Sequence, residues 1–199
     1  MSILQPIKGA FTSGTGALNV PVPTGYEIND LLLLFITSAN QAITTPSGWT
    51  QIGDSTSGNQ AFGTAAAISG VRFGVYYKYA SYNGNEASVA VADTGDFTAA
   101  IMLAYRGVDV ATSYNGGTNS FAAITTAGTA VSFPTTTTNY DGCMVIYALG
   151  LNRDTTATTN ASAWAASSLA SITEVADAVT ASGNGGGFAI ANGIKNTAG

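Results

Sequence analysis

The sequence predicts an all-β protein, folded as a single antiparallel β-sandwich. Three observations predict it. Short apolar or alternating runs recur along the 199 residues. Turn chemistry separates them, at Ser13-Gly14, Asn115-Gly116-Gly117, Asn139 to Gly142 and Gly183 to Gly187, and many short strands with turn-rich joints describe a sandwich or barrel. A faint internal repeat then divides the chain into two weakly similar halves, near residues 20–110 and 130–199. One half alone would expose a sheet face, whereas two packed halves share a core, which favours the sandwich.

Met1 to Ala10 carries Ile3, Leu4 and Ile7 beside Pro6. It reads either as an edge strand or as an apolar arm preceding the main domain, residues 11–199. Leu31 to Ile36 (LLLLFI) is a short continuous apolar run, which suits a strand buried on both faces. Val71 to Ala80 alternates, with Val71, Phe73, Val75, Tyr77 and Tyr79 on one face and Arg72, Gly74, Tyr76 and Lys78 on the other. Asn83-Gly84 marks a turn, after which Ala87 to Val91 returns as a strand. Phe97 to Tyr105 and Cys143 to Leu149 read as further buried strands. Ala161 to Ala181 has partly helical spacing. Strand is favoured because Val175, Asp177 and Val179 alternate onto one face, and because the Gly183 to Gly187 turn and the Phe188 to Ile194 run complete a hairpin.

The repeat rests on two passages. Pro23-Thr24-Gly25-Tyr26-Glu27-Ile28-Asn29-Asp30 leads into LLLLFI, and Pro134-Thr135-Thr136-Thr137-Thr138-Asn139-Tyr140-Asp141 leads into CMVIYAL. Each is a proline, a polar stretch and an acidic turn before the most hydrophobic strand of its half. A tryptophan follows in each, Trp49 and Trp164.

Composition narrows function. Only 9% of residues are charged, against roughly 25% in an ordinary domain. The 46% hydrophobic content separates the chain from disordered sequences. With no histidine, a Ser-His-Asp or Cys-His nucleophile, an imidazole metal site and a histidine switch are excluded. A single cysteine excludes an internal disulfide and a thiolate zinc cluster. Cys143 has no cationic neighbour in sequence and reads as a small hydrophobe. Six Lys+Arg against eleven Asp+Glu oppose nucleic-acid binding. No apolar run approaches the ~18 residues of a spanning helix, and the N-terminus lacks a secretory layout, so the reading is a protein made in a cytoplasm, with no membrane partner.

Little chemistry remains. Asp93, Asp96, Asp141 and Asp154 lie at turn signals, where carboxylates cap backbone N–H groups. Asp93-Thr94-Gly95-Asp96 offers two carboxylates, too few for a calcium loop. Gly183 to Gly187 lacks the Lys-Ser/Thr and helix of a phosphate loop. No catalytic residue, metal or cofactor is therefore expected, and the remote enzymatic alternative is a carboxylate glycosidase.

Three patterns occur in order: Thr45-Pro46-Ser47-Gly48-Trp49-Thr50, Tyr76-Tyr77-Lys78-Tyr79-Ala80 and Ala104-Tyr105-Arg106-Gly107-Val108-Asp109. Together the passage from Tyr26 to Asp141 resembles a β-sandwich module of tailed-bacteriophage virion and tail proteins. The resemblance implies a jelly-roll-like, non-enzymatic virion component. Physically, Pro46-Ser47-Gly48 turns Trp49 into the core, Lys78 holds its ammonium in water, and Arg106 and Asp109 pair across the turn that follows Tyr105. Read as a free-standing chain without a repetitive shaft, the protein is expected to be a capsid decoration, or cement, protein on the virion surface. Its partners would be the major capsid protein and its own copies, as a trimer by analogy with that class. Ile3, Leu4 and Ile7 are the candidate capsid-contact arm, and Tyr82 and Tyr114 the candidate exposed contact aromatics. The alternative is a tail fibre or adsorption protein that binds a host-surface glycan. A bacterial surface or secreted module is disfavoured by the missing signal layout.

Overall fold

The computed structural model describes residues 5–38, 42–52, 60–62, 71–81, 86–109, 130–151, 156–157, 159–182 and 186–199, with 60–62 described by backbone pairing alone. Ile3, Leu4, Tyr82, Tyr114, Asp154 and the Asn83-Gly84 turn lie outside these residues. The described residues contain strands and no helix: β1 (Ile7–Lys8), β2 (Thr12–Thr15), β3 (Leu18–Val20), β4 (Leu31–Ser38), β5 (Thr50–Gln51), β6 (Gln60–Phe62), β7 (Val71–Tyr79), β8 (Val89–Val91), β9 (Phe97–Tyr105), β10 (Cys143–Leu151), β11 (Ala170–Thr180) and β12 (Gly186–Lys195). Every pairing is antiparallel.

A seven-stranded sheet forms the middle layer, in the order β1-β9-β4-β7-β5, with β2 beside β1 on β9 and β6 beside β5 on β7. Among the described residues, each of its two edges is therefore made of two short pieces. On one edge the break is at Gly9, whose N–H bonds the Met102 carbonyl at 2.8 Å. A Cβ there would stand 2.9 Å from the same oxygen, so only glycine lets the chain approach so closely.

The period-two geometry of a strand explains the unbroken LLLLFI run. Leu32, Leu34 and Ile36 point to one face, where β3 and β8 contribute Leu18, Val20, Val89 and Val91. Leu31, Leu33 and Phe35 point to the other, where they meet Ala176, Phe188 and Ile190 of the sheet β10-β12-β11. Both faces are covered, so both must be apolar. Each Leu, Ile or Phe so buried contributes roughly 1.5–3 kcal/mol relative to exposure. The all-β, antiparallel expectation is met, and the stacking is sandwich-like, in layers of two, seven and three strands among the described residues. This division differs from the two four-stranded sheets of a jelly roll. Residues from both halves of the chain share the second core cluster.

Several local expectations are corrected. β8 does not return along β7. It crosses to the other layer and pairs with β3, Leu18 opposite Val91, because both sides of β7 are already taken by β4 and by β5 with β6. β10 is not a buried strand: only Val145 and Gly150 are buried along it, since it pairs with β12 alone among the described strands. Strand within Ala161 to Ala181 is confined to β11. There, Val175 is an extra residue between Glu174 and Ala176 in the register with β12. This bulge breaks the alternation. Val175 packs with Ala176 and Ala178 against the central sheet, while Asp177 accepts bonds from Asn160 and Ala161. Within the N-terminal segment, Ile7 opposes Ala104 in the edge strand β1 and packs on the first core cluster.

Candidate functional site

The three quoted motifs converge at one end of the central sheet. Leu31, the first residue of β4, stands opposite both Tyr79 and Tyr105, and Thr50 stands opposite Tyr77. The register thus brings together the ends of β7 and β9, the start of β5 and the turn before β4. In the Pro46–Trp49 turn, the Trp49 N–H bonds the Pro46 carbonyl at 3.1 Å. Gly48 has φ +80°, the left-handed conformation that the third position of a type II turn requires. Trp49 is half-buried, one side against the core rather than wholly inside it.

Arg106 holds this end together, but not through Asp109. Its Nη1 lies 3.0 Å from Glu27, and its Nη2 lies 3.2 Å from Asp30. Nη2 also donates to the Gly25 carbonyl at 2.9 Å. Asp30 is 2% exposed and accepts the Glu27 N–H at 2.7 Å. Its own backbone bonds Ala80, at the end of β7. Gly107, at φ +75°, turns the chain after β9, and Arg106 reaches back across the sheet end to the turn before β4. The bond to Asp30, opposed by desolvation and aided by the charges of Asp30 and Glu27, raises the Arg106 pKa further. Asp109 contributes its backbone carbonyl, which accepts the Tyr79 hydroxyl at 3.2 Å.

Lys78 also departs from expectation. Its ammonium is paired with Glu86 at 2.6 Å, across a gap of eight residues. The other Glu86 oxygen accepts both the N–H and the hydroxyl of Ser81, each at 2.7 Å. The Glu86 N–H donates to the Tyr26 hydroxyl. Burial alone would raise the Glu86 pKa, but the bonds from Lys78 and Ser81 and the charge of Lys78 outweigh it, and the carboxyl sits below its ordinary value. Sequence reading missed this pair, although a lysine shortly before a turn and a glutamate shortly after it are placed to meet.

Beside the pair lies a cleft of about 270 Å³, walled by Val22, Leu32, Trp49 and Val89 and edged by Ser47, Lys78, Glu86 and Ser88. The Ser88 hydroxyl donates to Asn19 at 3.2 Å.

Two tyrosines of the sheet carry buried hydroxyls without a hydrogen-bond partner, Tyr76 and Tyr105. Burial pushes Tyr76 from 10.0 up to about 12. It raises Tyr105 further, against an opposing influence from nearby Asn192. Gly74 makes room for Tyr76, since a Cβ at that position would stand 2.6 Å from its hydroxyl.

The turn acids behave as caps. Asp93 accepts the Gly95 N–H at 2.8 Å, Asp96 that of Phe97 at 2.6 Å, and Asp141 that of Ala198 at 2.7 Å. Among the described residues, no group of three or more His, Cys, Asp or Glu side chains is placed to hold a metal. Cys143 is half-buried at the head of β10. An exposed aromatic that sequence reading passed over is Tyr140, 56% exposed. Comparison with family models, curated proteins and solved structures finds no match to this chain.

Proposed function

We propose that the chain is a non-enzymatic structural protein of a phage particle. It decorates the outer shell as a trimer and stabilises contacts between major capsid subunits. One observation carries this reading. The cationic side chains of the resembling motifs are spent on the fold itself: Arg106 on Asp30 and Glu27, and Lys78 on Glu86. Asp93, Asp96 and Asp141 likewise face backbone N–H groups. Such a molecule presents largely uncharged surface, and it acts by packing. Binding across neighbouring subunits stabilises the assembled state by mass action, and few exposed charges are left for salt to screen.

The test is binding of the purified chain to undecorated shells. Saturable binding that persists in ~1 M NaCl, where the Debye length is about 3 Å, is expected. Absence of binding, or release by salt, overturns the proposal. Copy number per virion separates a lattice-wide decoration protein from the competing tail location. The arm is tested by Ile3→Asp with Leu4→Asp, which spares the β1 pairing of Ile7. Full binding by that variant removes the arm from the contact.

A further inference from the structure

The cleft beside the Lys78–Glu86 pair gathers groups of mixed chemistry on one surface. Its walls mix an aromatic ring and aliphatic side chains with hydroxyls and an ion pair. That is the composition of a ligand site: an apolar body with a few placed polar groups. We propose that it binds one neutral pyranose ring, with an apolar ring face against Trp49 and hydroxyls bonded by Lys78, Ser47 and Ser88.

Three observations narrow the ligand to this class. Lys78 and Glu86 form a pair at 2.6 Å, so the site has no net charge with which to select an ion, and the chain's formal charge of −5 repels polyanions. The volume, about 270 Å³, falls just below the roughly 300–1,000 Å³ of pockets for drug-sized ligands and matches a ligand the size of one ring. Lys78 and Ser88 are held in place before a ligand arrives, by Glu86 and by Asn19. Both Glu86 oxygens are held, by Lys78 and by Ser81. An ammonium carries three donors and the bond to Glu86 uses one, so Lys78 arrives fixed in position with donors left for hydroxyl oxygens. Trp49 is set by the Pro46–Trp49 turn. Little ordering is left to be lost on binding, which is what allows a small site to bind at all. The reading is independent of where in a particle the chain sits.

The chain's two tryptophans supply an internal control. Trp49 borders the cleft, whereas Trp164 donates its indole N–H to Glu174 at 2.8 Å, on β11. Methyl α-D-glucopyranoside is titrated into the intact chain while both indole N–H signals are followed by NMR, with glycerol as an acyclic polyol control and methyl glucuronide as the anionic one. The expected result is a saturable shift of the Trp49 signal in the millimolar range, with Trp164 unmoved, no saturation by glycerol and weaker binding of the glucuronide. Lys78→Met is expected to weaken the affinity about tenfold or more, as loss of a charged hydrogen bond does. Ser47→Ala, at an exposed position, is expected to weaken it about 3- to 10-fold without touching the ion pair, and it keeps the test valid if Lys78→Met unfolds. A Trp49 signal that does not move, or that moves in parallel with Trp164 without saturating, overturns the proposal.

Discussion

β4 and β10 head the two halves of the chain with comparably apolar runs, yet they meet different fates. β4 is buried at all eight positions, between β7 and β9 and between two covering layers. β10 is half-buried at most positions and pairs only with β12 among the described strands. Met144, Ile146 and Ala148 meet the central sheet. On the other face, Tyr147 meets Phe133 at 4.9 Å between ring centroids. The acidic turns before the two strands differ in the same way. Asp30 is closed under Arg106, whereas Asp141 sits at the surface with one backbone bond to Ala198. The difference teaches that a strand's hydrophobicity states what it can bury, while its neighbours decide what it does bury.

The sharpest test is a pair of truncations. Leu34→Ala, at a fully buried site, is expected to cost about 3–5 kcal/mol, and Ile146→Ala in half-buried β10 roughly 1–2 kcal/mol. Urea denaturation measures both, and equal losses would break the contrast. Next come the matched acids. Asp30→Ala is expected to cost about 1–3 kcal/mol, because it leaves the Glu27 N–H without its acceptor at a buried position. Asp141→Ala should cost about 0.5–1 kcal/mol, one exposed bond. Thermal melts of Arg106→Ala and Asp109→Ala refine this result: the first should lower Tm clearly more than the second.

A smaller effect concerns acid. The folded pKa of Glu86 is below its ordinary 4.5, so its stabilisation is present above that value and disappears as pH falls through the lower folded pKa. Glu86→Gln should therefore be less stable than wild type at neutral pH, with the gap closing in acid. A gap independent of pH would show that charge is not the cause. The last test is alkaline. Tyr76 titrates near 12 folded against 10.0 unfolded, so the unfolded chain loses its proton first and stability falls as pH rises from 10 towards 12. Tyr76→Phe should blunt that fall more than Tyr147→Phe in β10. At neutral pH it should be neutral or stabilising by about 0.5–1 kcal/mol, since it removes a buried unpartnered hydroxyl.

Much of this contrast was beyond local reading. The cores of β4, β7, β9 and β12 were legible because long apolar or alternating runs force one geometry on the chain. Adjacency was not legible: nothing in Val89-Ala90-Val91 states that it pairs with Leu18 to Val20. The short β1, β2, β5 and β6 have too few residues to carry a period. At the site, the motif residues Trp49, Tyr105 and Arg106 lie at one end of the central sheet, with Trp49 and Tyr105 on opposite faces. Arg106 was assigned a partner three residues away, whereas its partner Asp30 lies 76 residues back. The acidic turn ahead of LLLLFI was visible in sequence as half of the repeat, but its role emerges only when β4 lies against β9.

The split margins of the central sheet bear on how the chain behaves at high concentration. Unpaired strand edges are where copies of one chain can add to each other's sheets. Among the described residues each margin of the central sheet consists of two short pieces, which give a neighbouring molecule little ladder to extend, whereas β10 and β11 leave strands of nine and eleven residues at the edges of the three-stranded sheet. Pairing between copies is therefore directed to the three-stranded sheet rather than to the central one.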